Sequence, residues 1–182
     1  MAIPSNPTWV AADFIDAPQM NTDVRDQYTF WQAPPRCLAY RSAAKSTATA
    51  TWVLYDMDAE LYDWSVTAMH STSTNNSRIV APESLLYRVE VQTRWAGTSG
   101  GIRALDVRKN AADVQTSGTR VLLRQQDATG GAQITVMGGS ATIPLNSTDY
   151  VQLFTRHEQG AALNVDAGSG ETFLSVVAVA RQ

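Results

Sequence analysis

The sequence has little of what enzymes and metal sites are usually built from. Its 182 residues include one cysteine, Cys37, and two histidines, His70 and His157. A single cysteine excludes an internal disulfide and a cysteine-based zinc cluster. Two histidines leave few ways to build a catalytic triad, and the sequence has no Gly-x-Ser-x-Gly motif. We therefore predict that the chain is not an enzyme, has no catalytic residues and binds no cofactor, and that its histidines are solvated or lie in an interface.

Charge is scarce as well. Charged residues make up 17% of the chain and hydrophobic residues 44%, and the formal net charge at pH 7 is −3. This composition is typical of a globular protein and not of a disordered one. The chain has no basic excess that would indicate nucleic-acid binding. It also has no apolar run close to the ~20 residues that span a bilayer. We expect neither nucleic acid nor membrane insertion.

Residues 1–33 combine an extended, proline-containing start with a helical pattern. Asp16 and Pro18 are typical of a helix N-cap and first turn. Apolar side chains then recur every three or four residues and form one stripe: Met20, Val24, Tyr28 and Trp31. A short helix is marginal in water unless such a stripe is covered. This stripe either packs against the rest of the chain or binds another molecule, as a short self-associating bundle or as a docking peptide. We adopt the docking interpretation and include Trp9 in it.

A stiff connector, Pro34-Pro35, follows the helical pattern and ends it. We therefore divide the chain into an N-terminal docking arm and helix (1–33), the connector (34–35) and a trimerisation domain (36–182).

Beyond the connector the apolar period changes from 3.6 to 2. The clearest run is 85–95, in which alternate side chains share one face: Tyr87, Val89, Val91, Thr93 and Trp95. Similar runs predict strands at 36–42, 51–57, 102–108, 120–124, 132–137, 150–156 and 172–180. Turn-rich segments separate them, including 97–101, 127–131 and Gly138-Gly139. The sequence predicts an all-β fold, an antiparallel jelly-roll sandwich.

The final predicted strand is apolar at both parities, which is typical of a strand buried on both faces. A subunit interface explains this pattern most simply. We predict that the trimer interface contains these side chains: Phe173, Val176, Val177 and Val179.

Carboxylates recur at period two in Asp56, Asp58 and Glu60. Such a ladder could bind calcium, but a calcium loop usually contains a glycine for its sharp turn, and none lies here. We predict no metal site and leave calcium binding near these three residues open.

Several short motifs follow one another in a recognisable order: 36–42 (RCLAYRS), 51–56 (TWVLYD), 61–63 (LYD), 76–82 (NSRIVAP), 87–91 (YRVEV), 145–153 (LNSTDYVQL), 161–165 (AALNV) and 172–176 (TFLSV). Over roughly residues 36–180 this order resembles the globular-head fold that complement heads and tumour-necrosis-factor ligands share. The family has a glycine before its long strand, where this chain has Leu85. The resemblance implies a threefold homotrimer with the last strand near the axis.

The N-terminal motifs Trp9-Val10…Asp13 and Asn21-Thr-Asp-Val-Arg-Asp26 resemble a narrower group. This group comprises virion proteins of tailed bacteriophages that infect actinobacteria, often encoded among the minor tail proteins. The resemblance implies a virion component that is assembled in the host cytoplasm, docks on other tail or capsid proteins and exposes a trimeric appendage. Two alternatives stay open: capsid decoration at threefold positions, and a carbohydrate- or receptor-binding module that recognises a host-surface glycan.

Overall fold

The computed structural model describes residues 17–98, 100–128 and 133–181. One helix, α1 (Ala17–Gln32), precedes twelve strands. The strands are β1 (Arg36–Tyr40), β2 (Lys45–Thr47), β3 (Val53–Leu54), β4 (Ala59–Trp64), β5 (Arg78–Val80), β6 (Leu85–Thr98), β7 (Ile102–Lys109), β8 (Thr119–Asp127), β9 (Gln133–Leu145), β10 (Tyr150–His157), β11 (Leu163–Val165) and β12 (Phe173–Arg181).

The strands form two antiparallel sheets. The seven-stranded sheet has the order β2-β11-β6-β12-β1-β4, with β9 on the other edge of β6. The five-stranded sheet has the order β3-β10-β7-β8, with β5 also paired to β10. Apolar side chains from both sheets form one core. The predicted all-β sandwich is confirmed.

The longest strand, β6, supplies the centre of this core. Its burial alternates along its length, and Tyr87, Val89, Val91, Thr93 and Trp95 are all buried, as the period of two predicts. Each large apolar side chain buried in this way contributes roughly 1.5–3 kcal/mol before ordering costs. The face predicted for this strand is therefore confirmed.

The predicted turn at Gly138-Gly139 is wrong, because both glycines lie inside β9. Their role is to allow close packing. A Cβ on Gly138 would lie 2.8 Å from the main-chain oxygen of Val91, and one on Gly139 would lie 2.9 Å from Leu122 Cδ2. Glycine therefore lets β9 approach both its neighbour β6 and strand β8 of the other sheet.

Short strands account for the other differences. The run predicted at 51–57 is a strand only at Val53–Leu54, although Tyr55 and Met57 are fully buried. β2 and β5 have three residues each, which is too few for alternation to reveal. β4 and β11 fall on motifs that only the family resemblance singled out.

The helical prediction for the N-terminal region is confirmed where it can be compared, since α1 begins at Ala17 and ends at Gln32. Asp16 and Trp9 lie outside the described residues. The connector is fixed to the sandwich, because the main-chain N–H of Ala178 donates to the carbonyl oxygen of Pro35 at 2.9 Å.

Two adjacent glycines between β6 and β7 allow a matched test of backbone conformation against packing. Gly100 and Gly101 have φ values of 77° and 76°, in the left-handed region. A Cβ on Gly101 would overlap the main-chain oxygen of Glu158, whereas one on Gly100 would meet nothing within 4 Å. We predict that Gly100→Ala costs about 1 kcal/mol of unfolding free energy. Gly101→Ala should cost at least about 1 kcal/mol more, because the neighbouring backbone must move. Urea denaturation measures both values, and equal losses would contradict the packing argument.

Candidate functional site

The final strand divides its side chains between the core and the outer face of the seven-stranded sheet. Leu174, Val176 and Ala178 are buried in the core of the single chain. Phe173 and Val177 alternate with them and are partly exposed, and Val179 is partly exposed as well. The prediction that Val176 lies between subunits is therefore corrected, because its side chain is already 0% exposed within one chain. Phe173, Val177 and Val179 remain available for an interface.

The outer face around Val177 is a mixture of apolar and paired charged groups. In register, Val177 lies between Arg36 of β1 and Arg88 of β6. Arg36 stacks over the ring of Trp64, 4.0 Å from its centroid, and Arg88 forms an ion pair with Glu90 at 2.6 Å. Arg88 therefore has a counter-charge on this face, whereas the ring contact of Arg36 stabilises its guanidinium without neutralising it.

A second apolar surface lies on the flank of the sandwich. Within the described residues β8 pairs only with β7 and β9 only with β6, so each has a free edge there. Ile134 and Val136 on β9 are each 51% exposed and, by register, lie on the same outer face as Val177, whereas Leu123 on β8 is 41% exposed on the outer side of the other sheet. Sequence reasoning missed this surface. The signal was present, because 134–137 is apolar or β-branched at both parities, as the final strand is.

The apolar stripe of α1 faces solvent in the single chain. Val24 and Tyr28 are 62% exposed and Trp31 is 66% exposed, whereas Phe30 is buried at 6%. The described side chains of the stripe therefore do not pack on the sandwich, and the helix is attached through Phe30 instead. The side chain of Met20 lies outside what the structure describes.

The carboxylate ladder does not converge on a common point. Asp56 pairs with Arg41 and Lys45, while Asp58 accepts hydrogen bonds from the main-chain N–H and the hydroxyl of Ser42, at 2.6 and 2.9 Å. Among the described residues no three His, Cys, Asp or Glu side chains come together to hold a metal ion. The geometry therefore does not favour a calcium site at this ladder.

The third carboxylate, Glu60, contacts a buried histidine. Its Oε1 lies 2.7 Å from Nδ1 of His70, and Nε2 of His70 lies 3.1 Å from the main-chain oxygen of Asn76. The two contacts join His70 to the side chain of Glu60 and to the backbone of the loop at Asn76.

The other histidine also lies in the core. His157 is 0% exposed, packs edge-on against the Trp95 ring and lies with Nε2 2.9 Å from the main-chain oxygen of Thr47. The expectation of solvated or interface histidines is wrong, because both are buried inside one chain. His70 contacts the loop backbone at Asn76 and His157 connects β10 to β2, so both have a structural role.

The cysteine is equally unsuited to chemistry. Cys37 is 0% exposed on β1, and its burial raises the pKa of the thiol well above its ordinary value. A thiol held protonated in the core is neither a nucleophile nor a metal ligand. No helix in the described part of the chain is long and apolar enough to cross a membrane.

Comparison with known proteins identifies the fold. No family model matches the sequence, and no curated protein matches it significantly. Among solved structures, Eiger, a tumour-necrosis-factor protein of S. frugiperda, is similar with a TM-score of 0.61 and 14% identity, covering 81% of this chain and 95% of that one. The zebrafish complement 1qA globular domain has a TM-score of 0.53 and 11% identity, over 81% and 99% of the two chains. Murine APRIL has a TM-score of 0.57 and 10% identity, over 80% and 98%.

These similarities confirm the fold that the sequence motifs predicted. The chain is an antiparallel jelly-roll sandwich of the type found in tumour-necrosis-factor and complement-head domains. The predicted kinship with bacteriophage virion proteins is not tested by them and stays a prediction.

The ion pairs of Asp56 predict an acid-sensitive contribution to stability. Although burial opposes the effect, the hydrogen bond from Lys45 and the charges of Lys45 and Arg41 lower the pKa of Asp56. A lowered folded-state pKa stabilises the protein above the ordinary value of about 4, and this contribution is lost as the pH falls through the folded-state pKa.

We therefore predict that Asp56→Asn lowers the unfolding free energy at pH 7 by about 1 kcal/mol, a modest loss because the carboxylate is 35% exposed. The difference from the wild type should vanish in acid. Urea unfolding at several pH values measures it, with Asp127→Asn as the control. A loss that persists unchanged in acid would contradict this assignment.

Proposed function

We propose that the chain is a trimeric jelly-roll module that forms a structural appendage on a larger particle. The observation that carries this proposal is the pair of partly exposed apolar surfaces on one chain. One is the outer side of β12, with Phe173, Val177 and Val179. The other is the edge strand β9 of the same sheet, with Ile134 and Val136. Exposed apolar patches of this kind usually mark interaction surfaces.

Two different surfaces on one chain suit head-to-tail association. When the outer face of one copy meets the flank of the next, the contact is heterologous, and such contacts form a closed ring if the rotation between copies closes. The family resemblance of residues 36–180 supports three copies. In that ring the free edges of β8 and β9 would be covered, which removes the risk of uncontrolled strand pairing.

The N-terminal segment 1–33 would attach this trimer to the particle. The exposure of Val24, Tyr28 and Trp31 supports docking, because these side chains find no cover on their own sandwich. The sequence resemblance to actinobacteriophage virion proteins supports a minor tail protein as the finer assignment. It would place the chain in the virion, with capsid decoration at threefold positions as the alternative.

A second candidate function is recognition of a host-surface glycan. The exposed ring of Trp64 favours it, since Tyr62 lies 6.1 Å away between ring centroids and Arg36 stacks on the Trp64 ring. Aromatic rings beside a hydrogen-bond donor are suited to bind a sugar face. A tail appendage could serve both functions.

The trimer proposal predicts the effect of a charge on the outer face. Val177→Asp should convert a three-chain species into single chains, because an unpaired charge buried in an apolar contact costs several kcal/mol. Val114→Asp is the matched control, since Val114 is 53% exposed on a loop and should leave the mass unchanged. Sedimentation equilibrium at micromolar concentration measures the mass. A one-chain mass for the wild-type protein would refute the trimer.

The attachment proposal predicts that deletion of residues 1–33 leaves a folded, soluble trimer that no longer enters virions. Exchange of the exposed stripe alone (Val24→Ser, Tyr28→Ser and Trp31→Ser) should have the same effect, and it keeps Phe30 in place. Thermal unfolding and virion incorporation are the two measurements. If the stripe variant loses much thermal stability but still incorporates, the helix braces its own chain and docking is refuted.

A further inference from the structure

An apolar groove of about 410 Å³ lies where the end of α1 meets the sandwich. Phe30, Pro35, Trp64, Val66, Pro82 and Glu83 line it. Its volume falls in the range of about 300–1,000 Å³ that is typical of ligand pockets. Trp64 is 55% exposed and Val66 is 75% exposed, so the groove presents apolar surface that the described residues do not cover.

Aromatic and proline rings form the walls of this groove. Phe30 is 6% exposed and forms a fixed wall, and the rings of Pro35 and Pro82 restrict the backbone on which they lie. Grooves with aromatic walls bind extended, proline-containing segments, because a segment that is already extended loses little conformational entropy on binding. The groove therefore fits an extended chain that contains proline.

Residues 1–8 of the same chain, which lie outside the described residues, have a sequence of this kind, MAIPSNPT. Pro4 and Pro7 fix their own φ angles and disfavour the helical conformation of the residue before each of them. Ile3 adds a branched apolar side chain. The segment contains no charged side chain, so no side chain in it is repelled by Glu83.

The chain between this segment and α1 is long enough to reach the groove. α1 begins at Ala17, and the groove lies at its other end, beside Phe30. A helix of 16 residues is about 24 Å long. Residues 9–16 span up to about 26–29 Å when extended. They can therefore run back along the whole of α1 and bring residues 1–8 to the groove.

Charge and tethering both favour this segment over a separate peptide. Burial raises the pKa of Glu83, and the positive charge of the chain's amino terminus lowers it in part. A charge from this end of the chain therefore acts on a carboxylate that lines the groove. A tethered segment also competes at an effective concentration in the millimolar range, which a separate peptide has to match.

We propose that residues 1–8 fold back along α1 and occupy the groove of their own chain, with Ile3 and the two prolines against Trp64 and Val66. The proposal goes beyond the trimeric appendage, because it concerns a contact within one chain and does not require the trimer. It fixes the start of the arm on its own sandwich, whereas the attachment proposed above uses the stripe of α1.

A spin label on the full chain tests this contact. Ala2→Cys provides one reactive thiol, because Cys37 is fully buried and its thiol stays protonated. A nitroxide attached there should remove most of the intensity of the Val66 methyl signals in NMR spectra, compared with the reduced label. The methyl signals of Val165 are the reference. Val165 pairs with Trp95, about 30 Å along β6 from the end next to the groove, and should keep its intensity.

A charge in the segment should release it. Ile3→Asp, added to the labelled chain, places a second carboxylate beside Glu83 in an apolar groove, so the Val66 signals should regain their intensity. Ala12→Asp is the matched control, because it adds the same charge where the arm only spans α1, and it should leave the loss of intensity unchanged. Thermal unfolding shows that each variant is folded.

Three results would overturn the proposal. The first is a Val66 signal that the nitroxide does not affect, and the second is an equal loss of intensity in Ile3→Asp. The third comes from mixing nitroxide-labelled chains with isotope-labelled chains that lack the nitroxide. A loss of Val66 intensity in that mixture alone means that the segment of another copy occupies the groove. A one-chain sedimentation mass would refute the trimer and leave this contact standing.

Discussion

The hydrogen bonds along both edges of β6 hold together strands that lie far apart in the sequence. On one edge β6 pairs with β12 and, at its end, with β11, and on the other edge it pairs with β9 over nearly its whole length. The side chains that it turns inward, from Leu85 to Trp95, are the centre of the core. The two glycines of β9 belong to this arrangement, since they let β9 lie against β6 and the second sheet together. Both proposed trimer surfaces depend on it, because β12 and β9 both pair with β6.

The carboxylates of the ladder at 56–60 and the histidines described above have partners within the chain. Asp56, Asp58 and Glu60 look like a metal ladder in the sequence, yet they face different partners: Arg41 and Lys45 for Asp56, Ser42 for Asp58 and His70 for Glu60. The two buried histidines likewise have hydrogen-bond partners within the chain.

The sequence predicted the architecture better than the surfaces. Alternation over 85–95 predicted both the strand and its buried face, because a long half-buried strand leaves a clear period of two. The turn predicted at Gly138-Gly139 is wrong, because glycine occurs both in turns and where two backbones approach closely. The interface prediction for Val176 is wrong, because an apolar run does not indicate which of its side chains face the second sheet and which face outward. The apolar groove at the end of α1 could not be predicted, because Phe30, Trp64 and Pro82, which line it, come from three separate segments that only the folded chain brings together.

The pairing of β1 with β12 has a consequence for how the protein forms. Arg36 lies opposite Val177, so strands roughly 140 residues apart must meet before the seven-stranded sheet is complete. Closing such a loop is entropically costly, and folds dominated by long-range pairing form slowly. During synthesis β1 and β6 lack β12, the strand that pairs with both, until this final strand has left the ribosome. The edges and apolar faces of β1 and β6 are exposed during that interval. The nine residues of β12 therefore affect how much of the chain folds correctly as well as the structure that it forms.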